Sequence, residues 1–381
     1  MDFELSPAQK AIQQTAREFA QKEVKPTAIQ SDAEESFPRE TYRRMGELGM
    51  LAAIVPTKYG GGGLDHLSTI LPMEEVGYYN MALAGAMNLP AFNVGKPLLY
   101  FASEEQKLKY MPKMCTGEYL IGMAATEPQG GTDLSTMTTR AEAKGNKYVI
   151  VGKKVWISCL NAEYILTVAR QDKVKPPYTA FLIKRDQKGM FISKYHHKLG
   201  YRPDQVGELA FDDCEVSAEQ RVGEEGQGLK VILSAVEEGR LGVGARACGA
   251  IRACLDEAVK HAKERVVFGN PIGRYQLTQA KIADMVINLE CARLITYQLA
   301  CLKDRGVARA RKESSMVKRF TTDSMAKAAA DTIQILGSQG CSNEHLIAVM
   351  FRDAKIHQIL EGTNDLHTVL IGEITLGYRK A

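Results

Sequence analysis

The stretch Arg352-Asp353-Ala354-Lys355-Ile356-His357-Gln358-Ile359-Leu360-Glu361-Gly362-Thr363-Asn364-Asp365 holds the carboxylate best placed for chemistry. Phe351, Ile356, Ile359 and Leu360 recur at roughly helical spacing, which predicts a helix carrying Glu361 and stopping at Gly362. A carboxyl drawn into an apolar pocket keeps its proton to higher pH and becomes a usable general base near neutrality. A glutamate before Gly-Thr-Asn is equally at home as a solvated surface group, so this stretch alone does not decide. A second candidate is the polar loop Thr126-Glu127-Pro128-Gln129-Gly130-Gly131-Thr132-Asp133, which follows the apolar Ile121–Ala125. Its hydroxyls and backbone N–H groups suit an anion or the edge of a heterocycle, or simply a surface turn. Gly242, Gly244 and Gly249 do not spell Gly-x-Gly-x-x-Gly, and they fall within a helical pattern rather than after a strand. That argues against a dinucleotide loop and for close helix packing.

The elements that must position these residues come from a chain of 381 residues, 45% hydrophobic and 25% charged, enough for two or three structural units. The 49 basic and 45 acidic residues are interspersed, with no basic arm or stripe, which excludes nucleic acid as a partner. The acidic start, Met1–Leu5, lacks the basic-then-apolar pattern of a signal. No apolar run approaches the roughly 18 residues that span a bilayer, so no membrane is expected. The eight cysteines are dispersed without Cys-x-x-Cys and read as buried, reduced hydrophobes. His196-His197 on a strand would face opposite ways, against shared metal ligation. A cytoplasmic enzyme of small-molecule metabolism is expected.

Ser6-Pro7-Ala8-Gln9 predicts a capped helix with Ile12, Ala16, Phe19 and Val24 on one stripe. Pro38 opens another helix, and helices continue to Lys113, one of them opened by Ser103-Glu104-Glu105-Gln106. From Tyr119 to about Val222 the pattern turns strand-like, clearest at 147–151, 154–158, 164–169, 178–183 and 208–211, the first two read as a hairpin about Gly152-Lys153. This predicts a small β-barrel or sandwich. Long amphipathic segments at 228–265, 276–305 and 312–337, with two shorter helices after them, predict a bundle. The fold class is therefore mainly α with a central β domain: 1–118 helical, 119–225 β, 226–381 a helical bundle.

Several stretches together resemble the acyl-CoA dehydrogenase family of flavoproteins, over essentially the whole chain. They are Thr126–Asp133, with Thr132 where the family has Ser; Lys154-Val155-Trp156-Ile157-Ser158; Phe211–Val216 followed by Gly223–Gly228; Arg265–Ile272 with Gln276; Gln334–Gly340; and Arg352–Thr363. The resemblance implies a four-helix C-terminal bundle, FAD between it and the β domain, and a homotetramer, a dimer of dimers. It places Met123, Ala125, Thr126 and Thr132 along the flavin and its pyrophosphate, with Trp156 against the isoalloxazine and Ser158 near N5. Arg265, Phe268, Gln276, Gln334 and Gly337 match the set that holds a neighbouring subunit's FAD, Arg265 on the pyrophosphate. Thr363 and Asp365 fall at flavin-contacting positions.

Glu361 matches the family's catalytic base. Some members instead place the base before an arginine on an earlier helix; here that arginine is Arg240 and the residue before it is Gly239. The resemblance thus implies α,β-dehydrogenation of an acyl-CoA thioester, with hydride passing to FAD N5 and electrons to an electron-transfer flavoprotein. Arg240, oriented by Glu237, is left for the CoA or acyl end, with Leu360 and Gly362 at the acyl pocket. Leu360 replaces a frequent Tyr, and Cys159 follows Ser158 where Asn or Asp is usual. Asn364-Asp365-Leu366-His367 is similar to the glutaryl-CoA dehydrogenase branch, yet the arginine for glutarate's distal carboxylate aligns with Ala84. A short, branched or alicyclic acyl group is preferred. The alternatives are enoyl-CoA reduction, glutaryl-CoA dehydrogenation, and a flavin- or acyl-CoA-binding protein without chemistry, against which Glu361, Trp156 and Arg265 together argue.

Overall fold

The computed structural model describes residues 4–307 and 309–380; Met1–Phe3, part of the acidic start discussed above, lie outside them. Seven α-helices come first: α1 (Pro7–Phe19), α2 (Ala28–Ala33), α3 (Arg39–Glu47), α4 (His66–Gly77), α5 (Met81–Asn88), α6 (Gly95–Phe101) and α7 (Glu104–Cys115). Ser6 with Gln9 and Ser103 with Gln106 form full capping boxes, because each hydroxyl takes the N3 amide while the glutamine returns to the cap. Ala16, Phe19 and Val24 are buried, as their stripe requires. Only α4 and α5 are buried on nearly all sides, so their sequences read as apolar runs rather than stripes.

Eight strands follow: β1 (Ile121–Ala124), β2 (Arg140–Lys144), β3 (Lys147–Ile157), β4 (Tyr164–Arg170), β5 (Tyr178–Lys184), β6 (Met190–Lys194), β7 (Gly207–Ser217) and β8 (Arg221–Val222). They form one sheet in the order β6-β7-β3-β2-β4-β5-β8, with β1 added parallel to β4. The expected barrel is not closed, since β6 and β8 end the sheet without pairing to each other among the described residues. A single residue pair, Arg140 with Arg170, joins β2 to β4, so the sheet nearly divides in two there. The expected hairpin at Gly152-Lys153 is corrected: β3 runs straight through as one strand of 11 residues. Gly152 sits at a register shift against β7 with φ +147°, and a Cβ there would lie 2.6 Å from Thr139 Cα. The glycine marks a bulge in a continuous strand, not a turn.

The C-terminal part is α8 (Gly228–Glu264), α9 (Gln276–Asp304), α10 (Arg311–Leu336), α11 (Leu346–His357) and α12 (Asn364–Thr375), with a small two-strand ribbon at 266–271. The α8 glycines do mediate close packing: a Cβ would meet Asn88 Oδ1 at Gly242, Val317 Cγ1 at Gly244 and Glu74 O at Gly249, all nearer than 2.5 Å. Helix α9 is long and apolar enough, by length and composition, to cross a membrane, which departs from the expectation. It packs instead on α8, α10 and α4, and leaves Leu277, Val286, Ile287 and Leu294 exposed on its outer side. Five cysteines are buried and free, but Cys291, Cys301 and Cys341 are free at the surface, contrary to a wholly buried set.

Candidate active site

Glu361 does not end a helix: α11 stops at His357, and Glu361 lies in the connection to α12 with φ +54°, followed by Gly362 at +94°. The connection is clamped from α10. Lys318 Nζ donates to Gln358 O (3.1 Å) and Asn364 Oδ1 (2.6 Å), while Asp323 accepts from Gln358 and Asn364. Burial pulls the Lys318 ammonium down to about 7. Thr363 caps α12 by accepting the Leu366 amide. His367 is fully buried behind the turn, its Nε2 at 3.3 Å from Glu361 O, and burial lowers its pKa to about 3, so it is a neutral imidazole that donates there.

The Glu361 carboxyl is 16% exposed and points at α5 and α8. Asn88 Nδ2 donates to Oε1 at 3.2 Å, and Arg246 Nη2 lies 3.8 Å from the same oxygen. Oε2 has no partner among the described residues. The Asn88 amide also reaches Asn93 Oδ1 and Gly239 O, and Asn93 donates to Ala235 O, so a knot of amides is tied to the α8 backbone beside the base. Gly239 makes room for this, since a Cβ there would sit 2.6 Å from Glu361 Oε2. Burial raises the Glu361 carboxyl above its ordinary range, while Arg246, Arg240, Lys318 and the nearby Asn93 amide pull the other way without cancelling it.

Other expected residues fall as follows. Arg240 Nε reaches toward Glu361 O at 3.5 Å. Glu237 does not orient it through a hydrogen bond; Glu237 accepts from Lys303 and the Ala310 amide instead. Leu360 is half-buried. Thr126 and Trp156 come together because the Val155 amide donates to Thr126 O. The loop they frame is fastened by a buried ion pair, Lys154 to Glu127 at 2.8 Å, with Glu127 also accepting the Thr138 and Thr139 amides. Met123 and Ala125 pack beside Val168, Tyr178 and Ile232. Ser158 stands beside the buried Asp204, whose carboxylate accepts the Cys159 amide at 2.9 Å. Thr132 and Asp365 are exposed.

Trp156 is 64% exposed, held at φ +57° and packed edgewise on Tyr195, which leaves a broad indole surface uncovered. An uncovered aromatic beside hydroxyls and loop amides suits a planar heterocycle with an anionic tail, so these residues fit a flavin. Phe268, 93% exposed, and Gln334 line one groove of about 410 Å³ with Ile272 and Leu277. Arg265 and Gln276 flank it in the chain, and Gly337 caps α10. This second group is far from the first. Gly228, at the start of α8, packs on Thr179 of β5, whereas Arg265 ends a 37-residue helix about 55 Å long.

Asn88, Asn93, Arg246, Lys318 and His367 escaped sequence reasoning. A polar signal was present at Asn88 and Asn93, two amides within the apolar run Met81–Val94, but nothing marked Arg246 or Lys318 as facing a carboxylate.

Residues 6–118, 122–214 and 226–376 match the models for the acyl-CoA dehydrogenase N-terminal, middle and C-terminal domains. The chain is 35% identical to an acyl-CoA dehydrogenase of Bacillus subtilis (strain 168), covering 96% of this chain and 97% of that one. It is also 35% identical to a glutaryl-CoA dehydrogenase of Desulfococcus multivorans, covering both chains in full. A solved glutaryl-coenzyme A dehydrogenase in complex with glutaryl-CoA superposes with a TM-score of 0.97 at 35% identity, over 100% of this chain and 98% of that one.

Proposed function

Because this chain belongs to the acyl-CoA dehydrogenase family, an FAD-dependent class of oxidoreductases, we propose that it oxidises a short, branched or alicyclic acyl-CoA at Cα–Cβ with Glu361 as the base. The observation that carries this reading is the Glu361 carboxyl, buried at the bundle with one oxygen unpartnered and its pKa raised. A base in that condition is poised nearer neutrality than a solvated glutamate. Among the described residues none accepts the Glu361 backbone N–H, which leaves it for the thioester carbonyl oxygen, where negative charge develops as the α-proton leaves. His367 holds the Glu361 carbonyl and Lys318 the Gln358 carbonyl three residues earlier, and together they fix the turn that carries that amide. Gly362, without a side chain, keeps the approach open.

Met123, Ala125, Thr126, Thr132, Trp156, Ser158, Thr363 and Asp365 would hold FAD in this chain, which supplies the acceptor for the β-hydrogen. Arg265, Phe268, Gln276, Gln334 and Gly337 would hold a neighbour's. The distance between the two groups supports that division, and the apolar outer side of α9 supports a homotetramer in which it is covered. An electron-transfer flavoprotein would take the electrons onward. Free surface thiols on Cys291, Cys301 and Cys341 suit a cytoplasmic, reducing location. The Asn88 and Asn93 amides, tied to the α8 backbone beside the base, support a short acyl group, since a chain extending toward them would displace them from those partners. The glutaryl alternative meets an uncharged, fully buried Ala84 on α5. Glu361→Gln tests the base: it should keep yellow FAD and lose turnover by at least ~10²–10⁴-fold. Near-normal turnover would refute the assignment.

A further inference from the structure

Glu361 is a nearly buried carboxylate beside an amide knot, a place where burial favours the proton and would disarm a base. One group opposes that at short range. Arg246 stands on the same face of α8 as Gly239 and Gly242, two turns beyond the first and one beyond the second, and is itself only 2% exposed. Its guanidinium is not loose. Nε donates to His357 Nε2 at 3.0 Å. The other nitrogen of that ring, Nδ1, faces Asp353 O at 2.8 Å. A carbonyl can only accept, so the proton sits on Nδ1 and Nε2 is left free to receive Arg246. Burial and the nearby guanidinium both disfavour a second proton on His357, which locks this tautomer. The result is a directed chain, Asp353 carbonyl to His357 to Arg246, that delivers Nη2 to 3.8 Å from Glu361 Oε1 and leaves Nη1 without a partner.

We propose that Arg246, anchored by His357, is a positioning residue that holds the Glu361 carboxylate ionised and aimed between substrate encounters. This rests on Glu361 being the base. The other cations around Glu361 favour its charge but do not contact the carboxylate. Arg240, on the same helix, reaches its carbonyl oxygen rather than its carboxylate. Lys318, on α10, is engaged with Gln358 and Asn364. His357 on α11 and His367 on α12 are neutral. Asp353 meets the Tyr201 amide, and burial lifts it to about 7. Asn88 and Asn93 carry no charge. Arg246 therefore has Glu361 as its nearest carboxylate, and when Glu361 takes the α-proton that attraction is lost. The arginine makes the base weaker but available, a trade that shows in the pH dependence.

The test isolates the proton step. Acetyl-CoA has α-hydrogens and no β-carbon, so its exchange with deuterated solvent on the FAD-loaded enzyme, followed by NMR, reports the base without hydride transfer. Glu361→Gln should abolish exchange; exchange that persists would remove the base assignment itself. Arg246→Met should move the acid limb of exchange upward by at least about one pH unit, roughly tenfold slower on the limb, and reach or exceed the wild-type plateau at high pH, where the base is ionised and stronger. Arg246→Lys should return the limb toward wild type. Exchange abolished by Glu361→Gln but with an unmoved limb in Arg246→Met, or a plateau lowered equally at every pH, would overturn the proposal and leave the base standing. Should Arg246→Met not fold, the protonated-carboxyl infrared band of Glu361, identified by its loss in Glu361→Gln, is titrated in wild type and Arg246→Lys. Bands that appear at the same pH as in an unpaired buried carboxyl would equally overturn it.

Discussion

Adding one methyl group at Gly239 is the sharpest probe of the geometry around the base. A Cβ there would lie 2.1 Å from Asn93 Nδ2 and 2.6 Å from Glu361 Oε2. To reach ordinary contact at 3.4 Å, the amide must retreat by about 1.3 Å and the carboxylate oxygen by about 0.8 Å. Neither moves freely: Asn93 is tied to Ala235 O and Asn88, and the Glu361 carboxyl is held through Oε1 by Asn88 and Arg246. For folding, two effects oppose each other. Alanine gains about 1 kcal/mol of helix propensity over glycine, while overpacking costs about 1–3 kcal/mol. The net loss is small, so Gly239→Ala should fold and bind FAD. Catalysis has no such offset, because a displacement near 1 Å at the reacting group costs about 10²-fold, or roughly 2.7 kcal/mol in the barrier. Anaerobic rapid mixing with acyl-CoA, following flavin reduction, should show that loss at unchanged FAD content. Reduction within threefold of wild type would refute the placement of Glu361 against α8.

Glu127→Leu strands the fully buried Lys154 and should lower the unfolding free energy by about 3–5 kcal/mol in denaturant titration. Burial would raise the Glu127 carboxyl, but Lys154 overcomes it and holds the group at about 2. In wild type the stabilisation is therefore fully present above the ordinary value of 4.5 and is lost as pH falls from there toward 2; stability unchanged by Glu127→Leu would contradict this. Arg265→Ala should weaken FAD retention and the oligomer, measured by the flavin-to-protein ratio and sedimentation; a fully flavinylated, unchanged assembly would count against its cross-subunit role. The acid limb of turnover should lie above the ordinary 4.5 of a glutamate, because a raised pKa keeps Glu361 protonated and inactive to higher pH. A limb at or below that value would contradict the raised pKa of the buried carboxyl.

The long helices of the C-terminal part were legible because their patterns run for more than 20 residues, with glycine opening the first at Gly228 and closing the third at Gly337. The capping boxes at Ser6 and Ser103 were legible because the hydroxyl and glutamine are three residues apart. Gly152 misled because a glycine flanked by valine-rich stretches signals a turn and a bulge alike. Glu361 was found as a residue, but its place in a left-handed turn beyond the helix was not, since Ile359 and Leu360 keep helical spacing and the Leu360 amide still bonds Ile356 O after α11 ends. Lys154 and Glu127 stood out only as parts of motifs; their burial as a pair joins two segments 27 residues apart. Arg246 illustrates the limit best. Its partner Glu361 lies 115 residues away, and its anchor His357 lies 111. Nothing local distinguishes it from a surface arginine on a long helix.

The most direct test of the central claim is an anaerobic titration of the purified, FAD-loaded protein with butyryl-, isobutyryl-, isovaleryl-, glutaryl- and cyclohexanecarboxyl-CoA while the flavin band is watched. Bleaching by a short, branched or alicyclic thioester, and its absence in Glu361→Gln, is the predicted result. A yellow protein that none of these thioesters bleaches would contradict it.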